Sequence, residues 1–271
     1  MPRRKGLNAM ASEPSGLTGP RLSALVVARN EEARLGDCLE RLRFADEIVV
    51  VLDRSSDGSA GIASRAGARL VEGAWEIEGE RRNAGIDACR GDWILEVDCD
   101  ERVSPALAAE IRAAIAGAAD GYFLVPMANH IGGRLIRHGW GAYNGVAAKA
   151  SLFHRGAKRW GAGRVHPKID LTGPRRTLAA PLDHFVYRDI SDMMRRLDRY
   201  TDLAALDMAE QGSMPSLARS VRRVFSRAWK SYVARRGYRE GVWGVALAMV
   251  SAIYPLLVYL KAATRGAAAG K

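Results

Sequence analysis

Asp98 and Asp100, separated by one residue in the run DCDE, follow the apolar stretch DWILEV at 92–97. On an extended chain the side chains of residues i and i+2 point the same way, so both carboxylates are expected to face one point. Two such anions repel unless a cation or protons intervene. A hard divalent ion accepts their oxygens and keeps positions free for diphosphate oxygens. It would also neutralise charge developing on a departing nucleotide diphosphate. Acidic pairs are common on solvated loops too. This pair is set apart by the apolar strand before it and by acids at two other strand ends.

Those ends carry ARNEE after 22–28 and LDRSSDG after 47–52. Asp53 and Asp57 stand where an acid can hydrogen-bond a nucleobase or ribose, although Ser55, Ser56 and Asp57 equally suit a turn and a helix cap. Arg29, Asn30 and Glu31 are candidates for contact with a nucleotide, with a cap at Asn30 as the plain alternative. Arg81, Arg82 and Asn83 lie early in a predicted helix, where one can face a phosphate; Arg81 reads as part of a solvated basic turn. All five histidines, at 130, 138, 154, 166 and 184, fall within one 55-residue window. Histidine has a suitable unperturbed pKa for a base and can also ligate a metal. His138 and His166 are the candidate bases and His184 a candidate metal ligand, with Asp170 and Asp183 as further acids.

Alternating strands and helices would position these groups. Strands are expected at 22–28, 47–52, 68–72, 92–97 and 121–126, with shorter ones near 149–154 and 182–187. Helices are expected at 31–43, from Asp57 or Ser59 to Arg65, at 78–89, from Ser104-Pro105 onward, and over 190–211. Ser104 followed by Pro105 combines a capping side chain with proline at the first helical position. The pattern implies an α/β fold, its mainly parallel sheet covered by helices on both faces. Right-handed crossovers then bring the loops after each strand to one edge, where such folds bind ligands.

The 271-residue chain carries a net charge of +11. Residues 212–271 hold eleven Lys or Arg against one acid, Glu240, and so account for +10. Residues 1–21 have no apolar core of a secretory signal and read as a flexible leader. Residues 22–211 form the expected catalytic domain and 212–271 a helical tail. Within the tail, Leu217, Val221, Val224, Phe225, Ala228, Trp229, Tyr232 and Val233 share one helical face and basic residues fall on others, as in helices that lie on anionic lipid. Residues 241–260 then run without a charge, long enough to span a bilayer. Gly241, Gly244, Ser251 and Pro255 favour shallow or re-entrant insertion instead. Cys38, Cys89 and Cys99 form no CxxC pair, which suits a reducing compartment.

The run ARNEEARLGDCLERLRFADEIVVVLDRSSDGS, the Arg82-Asn83 pair and GDWILEVDCDERVSPAL resemble family 2 glycosyltransferases of the GT-A fold. RHGW at 137–140, GRVHPKI at 163–169 and HFVYRDISDMMRRLDRYTDLAA at 184–205 are similar to the lipopolysaccharide-core subgroup. The resemblance covers roughly residues 22–260. It implies a GT-A nucleotide-diphospho-sugar transferase fold with C-terminal membrane-associated helices. It also implies inverting transfer from a nucleotide diphosphate sugar, usually with magnesium or manganese. By position, the residues after the first strand, Asp57, Arg82, Asn83, Asp98 and Asp100 would form the donor and metal site. The chain departs from the family at Leu52, where an acid is usual and Asp53 comes one place later. It departs again in GAYNGVAAK after Gly-Trp and at Pro167 after His166, where the subgroup often has acids.

The reading is thus a metal-dependent glycosyltransferase acting on a lipid-linked or lipopolysaccharide-type glycan. It would sit in the cytoplasm, peripheral or monotopic at the inner face of the cell membrane. The competing readings are a catalytically weakened, membrane-attached sugar-nucleotide binding protein and a basic nucleic-acid-binding protein. No recognised nucleic-acid motif supports the last, and no nucleic-acid partner is expected. A dinucleotide-dependent oxidoreductase is disfavoured, because ARNEE stands where a GxGxxG loop would be needed.

Overall fold

The computed structural model describes residues 19–142, 147–162, 168–210 and 214–269. Most of the leader, His166 and the expected tail boundary at 211–212 lie outside the described residues.

The first half alternates as expected: β1 (Leu22–Ala28), α1 (Glu32–Glu40), β2 (Glu47–Asp53), α2 (Ser59–Arg65), β3 (Arg69–Gly73), α3 (Glu78–Ala88) and β4 (Trp93–Asp98). The two-residue β5 (Glu101–Arg102) precedes α4 (Pro105–Ala116). Ser104 caps α4 by accepting from the Leu107 N–H, with Pro105 at its first turn. There follow β6 (Tyr122–Ile131), β7 (Arg134–Leu135), β8 (Ala148–His154), β9 (Lys158–Trp160), β10 (Ile169–Leu171), β11 (Arg175–Thr177) and β12 (Leu182–Tyr187). The last helices are α5 (Ile190–Glu210), α6 (Leu217–Trp229) and α7 (Val242–Ala269). A π-helical turn, Lys230–Ala234, and a 3-10 turn, Gly237–Glu240, join α6 to α7.

Ten strands form one sheet in the order β3-β2-β1-β4-β8-β6-β12-β5, with β7 and β11 also on β6. It is parallel from β3 to β4 and mixed beyond, because β8 runs antiparallel to both β4 and β6. This is the expected GT-A-type arrangement. Both faces of β1 and β2 are largely apolar, as a sheet covered on two sides requires, whereas β4 is apolar on its α1/α4 face and carries Glu96 and Asp98 on the other. Leu22, Ala24, Val26, Val50, Leu95 and Val97 pack against Leu35 and Leu39 of α1 and Leu107 and Ile111 of α4. Leu25, Val49, Val51 and Ile94 pack against Ile86 of α3 and the β8–β9 region. Each such large side chain contributes about 1.5–3 kcal/mol when fully buried.

A third cluster joins this sheet to the tail. Ile131, Ile136, Val186 and Tyr187 meet Met193 and Leu197 of α5 and Leu247 and Val250 of α7. Ion pairs of Lys261 with Asp198 and of Arg265 with Asp202 fasten the far end of α7 to α5. α6 follows a different rule. Its apolar face points outward, with Phe225 71% and Trp229 66% exposed, while Ser220 at 1% and, just beyond the helix, Ser231 at 2% are buried.

Candidate active site

β4 sets the site by alternation. Trp93, Leu95 and Val97 face the α1/α4 layer, so Glu96 and Asp98 face α3. The buried Arg82 of α3 meets both: its Nη1 contacts Glu96 Oε1 and stands 3.1 Å from Asp98 Oδ1, while its Nε donates to Glu78. Glu96 is fully buried and also accepts from Lys158 Nζ at 2.7 Å. Lys158 Nζ donates as well to the Ala150 carbonyl and lies over the Phe153 and Trp160 rings. Burial would raise the Glu96 carboxyl, but Lys158 and Arg82 outweigh it and hold the group at about 2.

Asp98 is the outer member of this network. Lys149 Nζ donates to Asp98 Oδ2 at 2.7 Å and to Glu101 at 3.0 Å, and the Asp98 N–H donates to Glu101. Burial works against the charged Asp98, yet Arg82 and Lys149 hold its carboxyl far below the usual carboxylate range. Burial pushes Glu101 up to about 7 against the pull of Lys149.

The strand ends at Asp98 and the chain turns at Cys99-Asp100. The two carboxylates therefore have different close partners, although both act electrostatically on His184. Asp100 faces α1, α5 and β12. Its Oδ2 stands 3.5 Å from Arg34 Nη1 and 3.4 Å from Arg196 Nη1, and its Oδ1 stands 3.7 Å from His184 Nε2. Asp192 ties the two arginines together from behind. His184 Nδ1 pairs with Asn129 Oδ1 at 2.9 Å, and the buried Asn129 donates to the Ala142 carbonyl at 3.0 Å. With its nitrogen committed to that carbonyl, Asn129 accepts at Oδ1. That fixes the proton on Nδ1 and leaves the Nε2 lone pair toward Asp100. Burial lowers the His184 pKa despite the nearby Asp100, which favours the neutral, metal-ligating form.

This donor set suits a divalent ion. Two ligands each ~2.1 Å from such an ion stand roughly 3 Å apart when adjacent, and the 3.7 Å pair is within a side-chain adjustment of that. Among the described residues no group of three or more His, Cys, Asp or Glu side chains converges in this way. Further ligands would have to come from a bound diphosphate or water.

The other sequence candidates fall in several places. Asn30, at φ 54°, bridges the loops after β1 and β2: its N–H donates to Ser55 and its side chain accepts from Ser56. Arg29 is exposed beside it, and Glu31 is raised by burial, with Arg34 opposing. Asp57 accepts from the Glu32 and Ser59 N–H groups, a loop and cap role. The buried Asp53 accepts from Arg54 and the Trp75 N–H, with Arg81 alongside. Asn83 pairs in both directions with the Trp160 backbone. Asp170 is exposed on β10 and paired with Lys168. Asp183 pairs with His130 at 2.9 Å; as the strand neighbour of His184 it lies on the opposite face of β12. His138 is in a separate cleft beside Glu240. Sequence reasoning missed Arg34, Lys149, Arg196 and Asn129. The only signal was a lysine entering the apolar run KASLF and an arginine pair inside the stripe of α5.

Comparison with known proteins follows the same outline. The glycosyl transferase family 2 description matches residues 23–171. A lipopolysaccharide core biosynthesis glycosyltransferase, LpsC, of Rhizobium meliloti is 28% identical over 89% of this chain and 91% of its own length. An uncharacterized glycosyltransferase of Rickettsia bellii is 25% identical over 88% and 84%. Among solved structures, mannosyl-3-phosphoglycerate synthase from Rubrobacter xylanophilus matches at 24% identity and a TM-score of 0.35, over 41% of each chain. Glucosyl-3-phosphoglycerate synthase from Mycobacterium tuberculosis, in complex with Mn2+, UDP and glucosyl-3-phosphoglycerate, matches at 21% identity and a TM-score of 0.36. That match covers 41% of this chain and 45% of the other, so this chain spans less than half the length of either solved one.

Proposed function

The chain belongs to glycosyl transferase family 2, and on that premise we propose that it transfers a sugar, with inversion, from a nucleotide diphosphate sugar to a lipid-linked or lipopolysaccharide-type glycan at the cytoplasmic face of a membrane. The observation that carries the reading is the Asp100–His184 pair at the ligand edge, backed by Arg34, Arg196 and Lys149.

Asp100 and His184 would hold magnesium or manganese, with Asp98 the second acid nearby. Bound there, such an ion supplies neutralising charge for the diphosphate leaving group. The remaining work belongs to the chain. Arg34 and Arg196 share Asp100 Oδ2 and are available to diphosphate oxygens, which guanidinium forks match well. Lys149, held between Asp98 and Glu101, adds a point charge at the same edge. Arg82 is buried behind Asp98 and fixes its position. The loops after β1 and β2, with Arg29, Asn30, Glu31, Asp53 and Asp57, and the α3 residue Asn83 are assigned to the nucleoside side. Removal of the acceptor proton is assigned to the segments that carry His138, His166 and Asp170.

The tail supports the membrane part of the reading. α6 presents Phe225 and Trp229 outward beside exposed Arg222 and Arg223, and α7 exposes Val242 and Met249. α7 is long and apolar enough to cross a bilayer between Val242 and Arg265, but 44% of its most apolar window is buried in the molecule. Its ion pairs to α5 favour a helix lying on the protein and dipping into one leaflet. The LpsC relative supports a glycolipid acceptor.

The test is a transfer assay with the full chain, a panel of nucleotide diphosphate sugars, membrane glycolipid extracts and added Mg2+ or Mn2+. Metal-dependent release of nucleoside diphosphate coupled to sugar incorporation is expected. Donor binding without transfer under any combination would favour the weakened binding protein instead.

A further inference from the structure

A cleft of about 390 Å³ lies between the β7 region and the turn that enters α7, lined by Arg134, Leu135, Arg137, His138, Arg239 and Glu240. Glu240 organises it. Its carboxylate is buried, accepts the N–H groups of Arg137 at 3.0 Å and His138 at 2.9 Å, and pairs with Arg134 at 3.3 Å. Arg134 and two backbone donors thus satisfy the single acid. Arg137 and Arg239 line the same cleft and are exposed, and neither guanidinium has a protein partner among the described residues. The cleft therefore presents two guanidiniums without a protein counter-charge, which a bound anion would supply.

The cleft is held rigidly. The Gly139 N–H donates to the Arg235 carbonyl at 2.8 Å and the Trp140 N–H to Ser231 Oγ at 3.2 Å. A Cβ at Gly244 would stand 1.9 Å from the Gly237 carbonyl oxygen, so the 3-10 turn and the start of α7 touch through backbone. The RHGW segment is therefore the socket on which the tail seats. The topology also places it usefully. β6 runs in the same direction as β4 and extends past the edge where Asp98 stands, and the cleft lies just beyond its end. The loop that leaves it reaches Ala142, whose carbonyl accepts from Asn129, the partner of His184.

We propose that this cleft binds a phosphate monoester of the acceptor, through Arg137 and Arg239, at the junction of catalytic domain and tail. Planar guanidinium forks match the oxygens of a phosphate, and two of them suit a dianion. The assignment to the acceptor rests on the glycosyltransferase reading above; anion binding itself does not. The shared chemistry is a phosphate monoester, carried either by a lipid headgroup or by the glycan.

The full chain is titrated with inorganic phosphate by calorimetry, then sedimented with phosphatidylcholine vesicles containing either phosphatidic acid or phosphatidylserine. R137Q/R239Q is compared with R34Q/R196Q, which removes guanidiniums from the Asp100 site. Loss of phosphate affinity in R137Q/R239Q by about tenfold per guanidinium is expected, with UDP binding retained. R137K/R239K keeps charge without the fork and should recover part of the loss. A preference for phosphatidic acid that R137Q/R239Q removes assigns the phosphate to a lipid headgroup. Phosphate binding without that preference assigns it to the glycan. If phosphate does not bind, or binds R137Q/R239Q as tightly as the wild type, the proposal is overturned, and loss in R34Q/R196Q would then move the anion to the Asp100 site. Absence of UDP binding in the wild type would instead count against the donor reading alone.

Discussion

Around β4 the protein takes charge inside: Glu96 and Lys158 are fully buried, Arg82 nearly so, and Asp98 is gripped by two cations. Along α6 the opposite holds, with aromatic rings in solvent and serines in the seam. Each region violates the ordinary rule for the inside and outside of a protein, and each violation needs something beyond the fold to explain it. Buried ion pairs add little net stability compared with apolar packing, so the charges around β4 are better explained by a charged ligand. An exposed aromatic face adds nothing to a protein in water and is better explained by a lipid surface.

The contrast breaks most sharply at Asp100. Asp100→Asn removes the charge that faces His184, Arg34 and Arg196 without touching the sheet. We expect metal-dependent transfer to fall by about 10²–10³-fold, with an unchanged circular dichroism spectrum. Asp98→Asn is expected to do the same while also freeing Lys149. Normal turnover in both folded variants would remove the ligand explanation for the buried charges.

Next comes the pair behind the site. Lys158→Met leaves Glu96 buried with Arg82 and the Trp160 ring N–H as partners. Removing one partner of a buried pair costs about 3–5 kcal/mol, measurable by urea denaturation. Adding Glu96→Gln should recover part of that loss. Acid dependence gives a second view. The folded Glu96 value of about 2 lies below the ordinary 4.5. Its stabilisation is therefore fully present above that ordinary value and is lost as pH falls toward 2. Glu96→Gln should flatten that stretch of the stability profile, and an unchanged slope would contradict the pairing.

Much of this frame can be read in the sequence. β1 and β12 fall on their expected residues, and α4 starts at its expected cap, because short runs of apolar and aromatic residues and a Ser-Pro pair are strong local signals. β5, β7, β9, β10 and β11 are two or three residues long, too short for any periodicity, and only their sheet partners define them. The acids Asp98 and Asp100 were legible from spacing. Their counter-charges were not: Lys149 is 51 residues from Asp98 and Arg196 is 96 from Asp100, joined only by topology. The amphipathic pattern of α6 was also legible, but not which side faces the protein. That is decided by the close seat of Ser220 and Ser231 and by Arg227, which reaches the Ser251 carbonyl.

The outward aromatic face gives a smaller effect than the buried site. Phe225→Ser with Trp229→Ser removes rings that pack little against the protein, so thermal stability should hardly move. Binding to vesicles should weaken, since burying such a ring in an apolar phase is worth roughly 1.5–3 kcal/mol, or about tenfold or more in partitioning for each ring that inserts. A large drop in melting temperature with unchanged vesicle binding would show that the face packs on protein.

The smallest effect is expected from the exposed arginines of the same helix, and it separates attraction from insertion. Arg222 and Arg223 are exposed, and neither guanidinium has a partner among the described residues, whereas Arg227 lies over the Tyr254 ring and bonds to α7. Arg222→Gln with Arg223→Gln should therefore leave stability alone and cost vesicle binding about 1 kcal/mol per charge at low salt. Exposed charges are screened within about 8 Å at physiological ionic strength, so this deficit should shrink as salt rises, while the deficit from Phe225 and Trp229 should persist. Arg227→Gln should behave differently from both, lowering stability because it opens the α6–α7 seam. If the Arg222/Arg223 variant binds anionic vesicles like the wild type at low salt, the basic face of α6 is a solvated surface, and the aromatic face alone must hold the protein at a membrane.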